Sequence, residues 1–370
     1  MIARRAASAA LIAALLVGSG AAAGCSMLRV GSISRVIQPT IKPSTAEQGT
    51  DAIAREWQFE GDRVRIDVPV DRAVLAGAKT AEKRAIFLGD APVIDWVPEY
   101  YRAFISESHQ EAFFSAMLKG LHEVRQRERM DDARYVELVT TMAQALEYRI
   151  DPGELAPKFP IQTYGDGFGD CDDKTLLAAA LLSRDGYDVS VFLFRAEQHV
   201  AMGIRAPGLD YKGTGYAYAE LTSSSLVGIA PEELAGGIRL TSQPEVIKIG
   251  QGELVYTAGE QAEFIERRLA EVRAAEKAAQ EQIARDQAEF AAESASLNAE
   301  REAFEAITDP ARRAEAIRAF NEHVRKVNDL AAEGNERVAR YNALVEAERY
   351  VIANSSNRPG VYKRLRAVKL

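Results

Sequence analysis

Asp166-Gly167-Phe168-Gly169-Asp170-Cys171-Asp172-Asp173-Lys174 is the stretch whose reading decides the fold. Two glycines punctuate it, and the apolar run Leu176 to Leu182 follows, so it reads as a loop delivering a cysteine to the start of a helix. A thiol placed there lies in the positive end of the helix dipole, which favours the thiolate, the form that attacks carbonyl carbon. Asp170, Asp172 and Asp173 stabilise the helix start but, close to the sulfur, raise its pKa. With Asp166 they form an acidic cluster of the oxygen chemistry that suits Ca²⁺. No EF-hand spacing accompanies it, so capping is the better account, and no metal or cofactor is expected.

Working outward, a loop with Pro157 and Pro160 leads into the motif, and the helix after it ends near Asp185-Gly186. Val189, Val191 and Leu193 then alternate as a strand, His199 to Ile204 reads as a second, and Tyr216 to Leu221 as a third. A helix followed by successive strands is an α+β arrangement. Upstream, Trp57-Gln58-Phe59, Glu60-Gly61-Asp62 and alternating Val64, Ile66, Val68 and Val70 predict a β-hairpin. A mixed stretch to about Tyr101 has turn signals at Gly89-Asp90 and Pro92. Two amphipathic helices follow, over about His109 to Arg125 and Asp132 to Tyr148.

From about Gly259 the composition shifts to Ala, Glu, Arg and Gln. Ile283, Phe290, Leu297 and Phe304 recur every seventh residue, and after Asp309-Pro310 so do Ile317, Val324, Ala331, Val338 and Val345. Phe320, Val327 and Tyr341 add a second seam position, with Gly334 interrupting it. Two such helices about a Pro turn predict an antiparallel coiled-coil hairpin reaching on the order of 60–75 Å. Two long helices packed flat on the domain are the alternative.

The chain has 370 residues, 47% apolar, and a formal net charge of −8. That is room for two to three domains, and the acidic balance argues against general nucleic-acid binding. Arg4 and Arg5 precede a small, apolar stretch from Ala6 to Gly24, the build of an export signal. Ala22-Ala23-Gly24-Cys25 resembles the bacterial lipoprotein cleavage box, with Ala22 where Leu is usual. Lipidation of Cys25 is therefore expected, placing the protein in the bacterial cell envelope, membrane-anchored on the periplasmic side. An ordinary signal cut nearby and a retained anchor are the alternatives. Cys25 and Cys171 are the only cysteines, so a lipidated Cys25 leaves Cys171 a lone thiol in an oxidising compartment, where it is either buried or used. The predicted organisation is signal 1–24, tether 25–55, strand hairpin and helices 56–130, core 131–255, coiled coil 256–350 and tail 351–370.

Thiol amidases need an imidazole to ionise the cysteine and protonate the leaving amine, and a group to orient that imidazole. Of His109, His122, His199 and His323, only His199 falls on a predicted strand just after the Cys171 helix, and Glu220 falls on the next strand. Cys171, His199 and Glu220, in this order and with Gly169-Asp170-Cys171-Asp172-Asp173-Lys174, Gln198-His199-Val200-Ala201-Met202-Gly203 and Tyr218-Ala219-Glu220-Leu221-Thr222 around them, resemble the transglutaminase-like cysteine protease superfamily. Lys158 to Thr163 resembles the approach segment of its prokaryotic members, and Glu220 stands where the superfamily more often has Asp. The resemblance covers about Asp132 to Ala235 and not the coiled coil. It implies a papain-like core and a triad in which Cys171 is the nucleophile, His199 the general acid/base and Glu220 its orienting partner. It also implies an oxyanion hole using the Cys171 N–H and a side-chain donor from the Gln162 to Tyr164 region. The expected partners are a protein or peptide substrate, the membrane through the N-terminal lipid, and a coiled-coil partner or second copy. A competing class is a catalytically degenerate domain that docks partners through its coiled coil.

Overall fold

Ten-residue strands β2 (Thr50–Phe59) and β3 (Asp62–Asp71) form the expected hairpin. Both residues of its tight turn, Glu60 and Gly61, have positive φ, the requirement of a two-residue hairpin whose twist matches its strands. Glu60 is held in that conformation by the Arg134 guanidinium, 2.9 Å from its carboxylate. The computed structural model describes residues 35–88, 96–153, 156–234 and 237–370. The export signal, Cys25, and the turn signals at Gly89-Asp90 and Pro92 lie outside the described residues.

Before the hairpin runs β1 (Arg35–Ile37), which pairs with β4 (Ile86–Leu88). The tether reading therefore needs correction from Arg35 onward. Ile41 is buried in the main core, and β2 already begins at Thr50. The hairpin is followed by α1 (Arg72–Thr80), then α2 (Val97–Ser106), α3 (Glu111–Arg127) and α4 (Asp132–Ala145). Phe113, Phe114, Met117 and Leu121 on α3 and Tyr135, Leu138, Val139 and Met142 on α4 are the buried stripes the periodicity predicts. Two-residue β5 (Glu147–Tyr148) then pairs in parallel with β6 (Phe168–Gly169). Between them lies α5 (Pro160–Asp166), in a segment read from sequence as loop. Pro160 fits there because the first helical turn has no use for its missing N–H.

Helix α6 (Cys171–Arg184) packs on a four-stranded antiparallel sheet ordered β10-β7-β8-β9, where β7 is Val189–Phe194, β8 His199–Ile204, β9 Ala217–Ala219 and β10 Glu245–Lys248. The fold is α+β. Alternation gives the sheet two buried faces: Val191, Val200, Met202 and Ala219 join the main core with α6, while Phe192, Phe194, Ala201 and Tyr218 form an aromatic cluster on the other side. Gly203 lies on that second face. A Cβ there would sit 2.3 Å from the Ser190 Oγ and 2.6 Å from the Phe192 ring. Gly203→Ala is thus expected to destabilise by about 1–3 kcal/mol through overpacking, measurable by urea unfolding.

The C-terminal part is α7 (Gly259–Glu305), α8 (Pro310–Ala353) and α9 (Arg358–Arg366). Asp309 caps α8 by accepting from the Arg312 N–H, with Pro310 in its first turn. Arg273 meets Glu348 at 2.6 Å, and Phe304 meets Phe320 with ring centroids 5.1 Å apart, so α7 and α8 run antiparallel as a hairpin. Residues 351–370, read as a tail, instead continue α8 and form α9. Val361 and Leu365 of α9 pack with Ile265, Val272 and Leu344 at the arm base. Arg358 reaches the main core and forms a buried ion pair with Glu137 on α4.

Candidate functional site

Asp170 is the N-cap of α6: its Oδ1 accepts the Asp172 N–H at 3.1 Å and the Asp173 N–H at 3.2 Å. Asp173 answers by accepting the Asp170 N–H at 3.2 Å, completing a capping box. The second Asp173 oxygen takes the Lys158 N–H at 2.6 Å, so the approach segment and the helix start are tied by one carboxylate. Of the acidic cluster, Asp170 and Asp173 are therefore caps, while Asp166 pairs with Lys79 at 2.8 Å and Asp172 turns to other partners. Lys174, fully buried, donates to the Gln144 and Leu146 carbonyls at 3.1 and 2.9 Å. It fixes the last turn of α4, and hence β5, against α6.

Glu220 is one residue past the end of β9 rather than within it. It is fully buried, and its Oε2 lies 3.1 Å from the His199 Nε2. The same oxygen accepts from the Tyr218 hydroxyl, while Oε1 accepts the Thr222 N–H at 2.8 Å and the Thr222 hydroxyl. Burial pushes the carboxyl pKa up, but these hydrogen bonds and the His199 charge outweigh it and hold the group down at about 2. An ionised carboxylate only accepts, so His199 Nε2 must be the donor. The other ring nitrogen, Nδ1, is then the basic one, and it makes no hydrogen bond among the described residues. The two residues predicted as base and orienter are thus in hydrogen-bond contact.

Cys171 approaches this pair through the strand backbone. The Val200 N–H, next in the chain to His199, pulls the Cys171 thiol pKa down, against the larger upward push of burial and the neighbouring charges. The Thr175 hydroxyl reaches the Val200 carbonyl at 3.5 Å, pinning the first turn of α6 to the start of β8. The thiol itself points to Asp172 Oδ1 at 3.5 Å, and no hydrogen bond joins Cys171 to His199 among the described residues. Burial, then the Asp172 and Asp170 charges, push the Cys171 thiol well above its ordinary value. Asp172 is raised in turn, to about 7, by burial and by Asp170 and Asp173, and it accepts from the Tyr101 hydroxyl at 3.0 Å. The resting arrangement is a neutral thiol beside a carboxyl of shifted pKa.

Three participants escaped the sequence reading. Tyr218 was legible as strand but not as the second donor to Glu220. Tyr101 sits in a helix the sequence left unassigned. Tyr148, on β5, is raised to about 12 by burial and then by the charges of Cys171, Asp170 and Glu220. In the Gln162 to Tyr164 region, Thr163 donates to the Phe159 carbonyl and Tyr164 to the Ile53 carbonyl, while the Gln162 Oε1 is buried without a hydrogen-bond partner. Asp170, Cys171 and Asp172 offer three ligand atoms within 4.8 Å of one another, the one metal-compatible grouping among the described residues. A cleft of about 460 Å³ between β2 and α4, lined by Arg55, Trp57, Met142 and Leu146, includes none of the three predicted triad residues.

No protein-family model, curated protein or solved structure matches the chain.

Proposed function

We propose that the chain is a transglutaminase-like thiol hydrolase with a papain-like core, cleaving amide bonds of a protein or peptide through Cys171, His199 and Glu220. His199 Nδ1 takes the Cys171 proton, the thiolate attacks the amide carbonyl, and the imidazolium returns that proton to the departing amine. Water then hydrolyses the acyl-enzyme, or a second amine captures it in transamidation. The observation that carries this reading is the buried His199–Glu220 pair. The four-times hydrogen-bonded carboxylate takes the Nε2 proton and leaves Nδ1 free to accept one, on the strand whose Val200 carbonyl is bound by Thr175 of the Cys171 helix. A substrate that draws the thiol from Asp172 toward His199 would complete the relay. The proposal includes export and anchoring through a lipidated Cys25. Among the described residues no helix is long and apolar enough to cross a membrane.

The second reading is a catalytically degenerate domain that docks partners through its helical arm. The thiol raised by burial and turned toward Asp172 favours it.

Iodoacetamide labelling of the folded chain across pH, with peptide mapping of the modified cysteine, separates the two. The enzyme reading expects Cys171 to label below the free-thiol pKa of about 8.5, and His199→Ala to slow labelling at pH 7 by about ten-fold or more. Cys171→Ala supplies the background. Labelling of Cys171 that ignores the His199 substitution leaves the scaffold reading standing.

A further inference from the structure

The helical arm has two unlike flanks. In the register of the Arg273–Glu348 pair, Ile283 lies level with Val338, Phe290 with Ala331, Leu297 with Val324, and Phe304 with Ile317. Polar contacts between the helices come from neighbouring positions: Arg337 pairs with Asp286, and His323 sits between Glu293 and Glu300 at 2.7 and 2.9 Å. Arg337 and His323 each come one residue before a stripe residue, Val338 or Val324, and one residue is about 100° of helix turn. On α7 the partners Asp286, Glu293 and Glu300 each come three residues after a stripe residue, which is about 60° of turn in the same sense; the helices are right-handed and antiparallel, so both stripes turn to the same side of the hairpin. The ion pairs close the other side. The apolar side is partly open: Phe290 is 40%, Ile317 37% and Val338 38% exposed, while Ile283, Leu297, Val324 and Ala331 are half-buried and Phe304 turns in against Phe320.

The border of that open side is uncharged except at Arg301 near the tip. Four residues beyond the stripe on α8, on the same face, stand Asn321, Asn328, Asn335 and Asn342, all exposed. The matching border of α7 carries Gln287 and Ser294 before Arg301 near the tip. Loss of charge around an apolar stripe, on helices otherwise dense in Glu and Arg, is the compositional mark of an interface core. Each amide side chain offers both donor and acceptor, so a ladder of asparagines is complementary to itself. The strip is about 40 Å long, from 28 residues of α8, and about 20 Å wide across two helices. It offers on the order of 600–800 Å² per copy, the size of a standard specific interface.

We propose that this flank is a homodimer interface, in which two arms pack apolar side to apolar side as a four-helix bundle. A two-fold contact sets the same stripe on both sides, which suits a neutral, self-complementary face. The proposal does not rest on the enzymatic reading.

Sedimentation equilibrium of the full chain in mild detergent tests it. The wild type is expected to dimerise at micromolar concentration. Ile317→Arg/Val338→Arg is expected to weaken association at least 30-fold, with helicity and Cys171 labelling unchanged. Glu322→Arg, on the outer face, is expected to dimerise as the wild type does. If the paired arginines unfold the arm, Asn328→Asp/Asn335→Asp, whose side chains are exposed in the monomer, must weaken the dimer instead. A wild-type monomer throughout, a dimer indifferent to these changes, or assembly only with another protein's helix would overturn the proposal.

Discussion

Arg358→Met is expected to cost about 3 kcal/mol or more of folding stability, because it leaves a buried carboxylate without its counter-ion. Arg358 and Glu137 are 5% exposed each, and the Tyr256 hydroxyl donates to the same Glu137 oxygen at 2.6 Å. Burial already raises the Glu137 pKa against the pull of Arg358, Tyr256 and their hydrogen bonds. Its folded-state value lies above the unfolded one, so its protonation supports the fold at low pH. That support is lost as pH rises from the unfolded value through the folded one. Removing Arg358 raises the folded pKa further, so the deficit of the variant should widen between pH 5 and pH 8. Urea unfolding followed by Trp57 and Trp96 fluorescence measures it. Glu137→Leu/Arg358→Met should recover more than half the loss, since an apolar pair has no charge to strand. Failure of the double variant to recover would mean that the pair matters through packing instead. The consequence is architectural: α9 and the arm base are bolted to the helix whose Gln144 donates to the Glu220 carbonyl at 2.7 Å.

What was legible in the sequence was local. The β2–β3 hairpin could be read because alternation and a Glu-Gly turn lie within one short window. The α6 start could be read because two glycines, a run of aspartates and the apolar stretch from Leu176 follow one another within one short window. The heptads of α7 and α8 are likewise a one-dimensional signal. What stayed hidden was non-local. Nothing near Glu245 says that β10 will pair with β7, some fifty residues earlier, and nothing near Arg358 names Glu137. At the site, the order Cys171, His199, Glu220 was readable, and the structure brings the last two into contact. The direction of the thiol was not readable, because it depends on Asp172 folding back beside the sulfur and on Tyr101 holding it there.

Asp172 is where the resting state can be moved. Asp172→Asn is expected to speed iodoacetamide labelling of Cys171 about ten-fold at pH 8, opposite in sign to the loss usual when an active-site acid is removed. The carboxylate is the first charge, after burial itself, that pushes the thiol up, and its hydrogen bond from Sγ stabilises the protonated sulfur. Deleting a like charge at this range lowers a pKa by roughly one unit or more. The pH dependence identifies the cause. Because Asp172 itself is raised to about 7, it is protonated and uncharged below that pH, and there wild type and variant should converge. Above it the wild-type carboxylate ionises just as the thiol would, so the wild-type profile should be shallower than a single titration, and the gap should open. An equal gain at pH 5.5 and pH 8 would point to altered packing around Tyr101 rather than to charge. With His199→Ala added, the variant also asks whether a thiol freed of its acidic neighbour turns to the imidazole. A gain that vanishes without His199 places the proton on that ring, and a gain that persists places it in solvent.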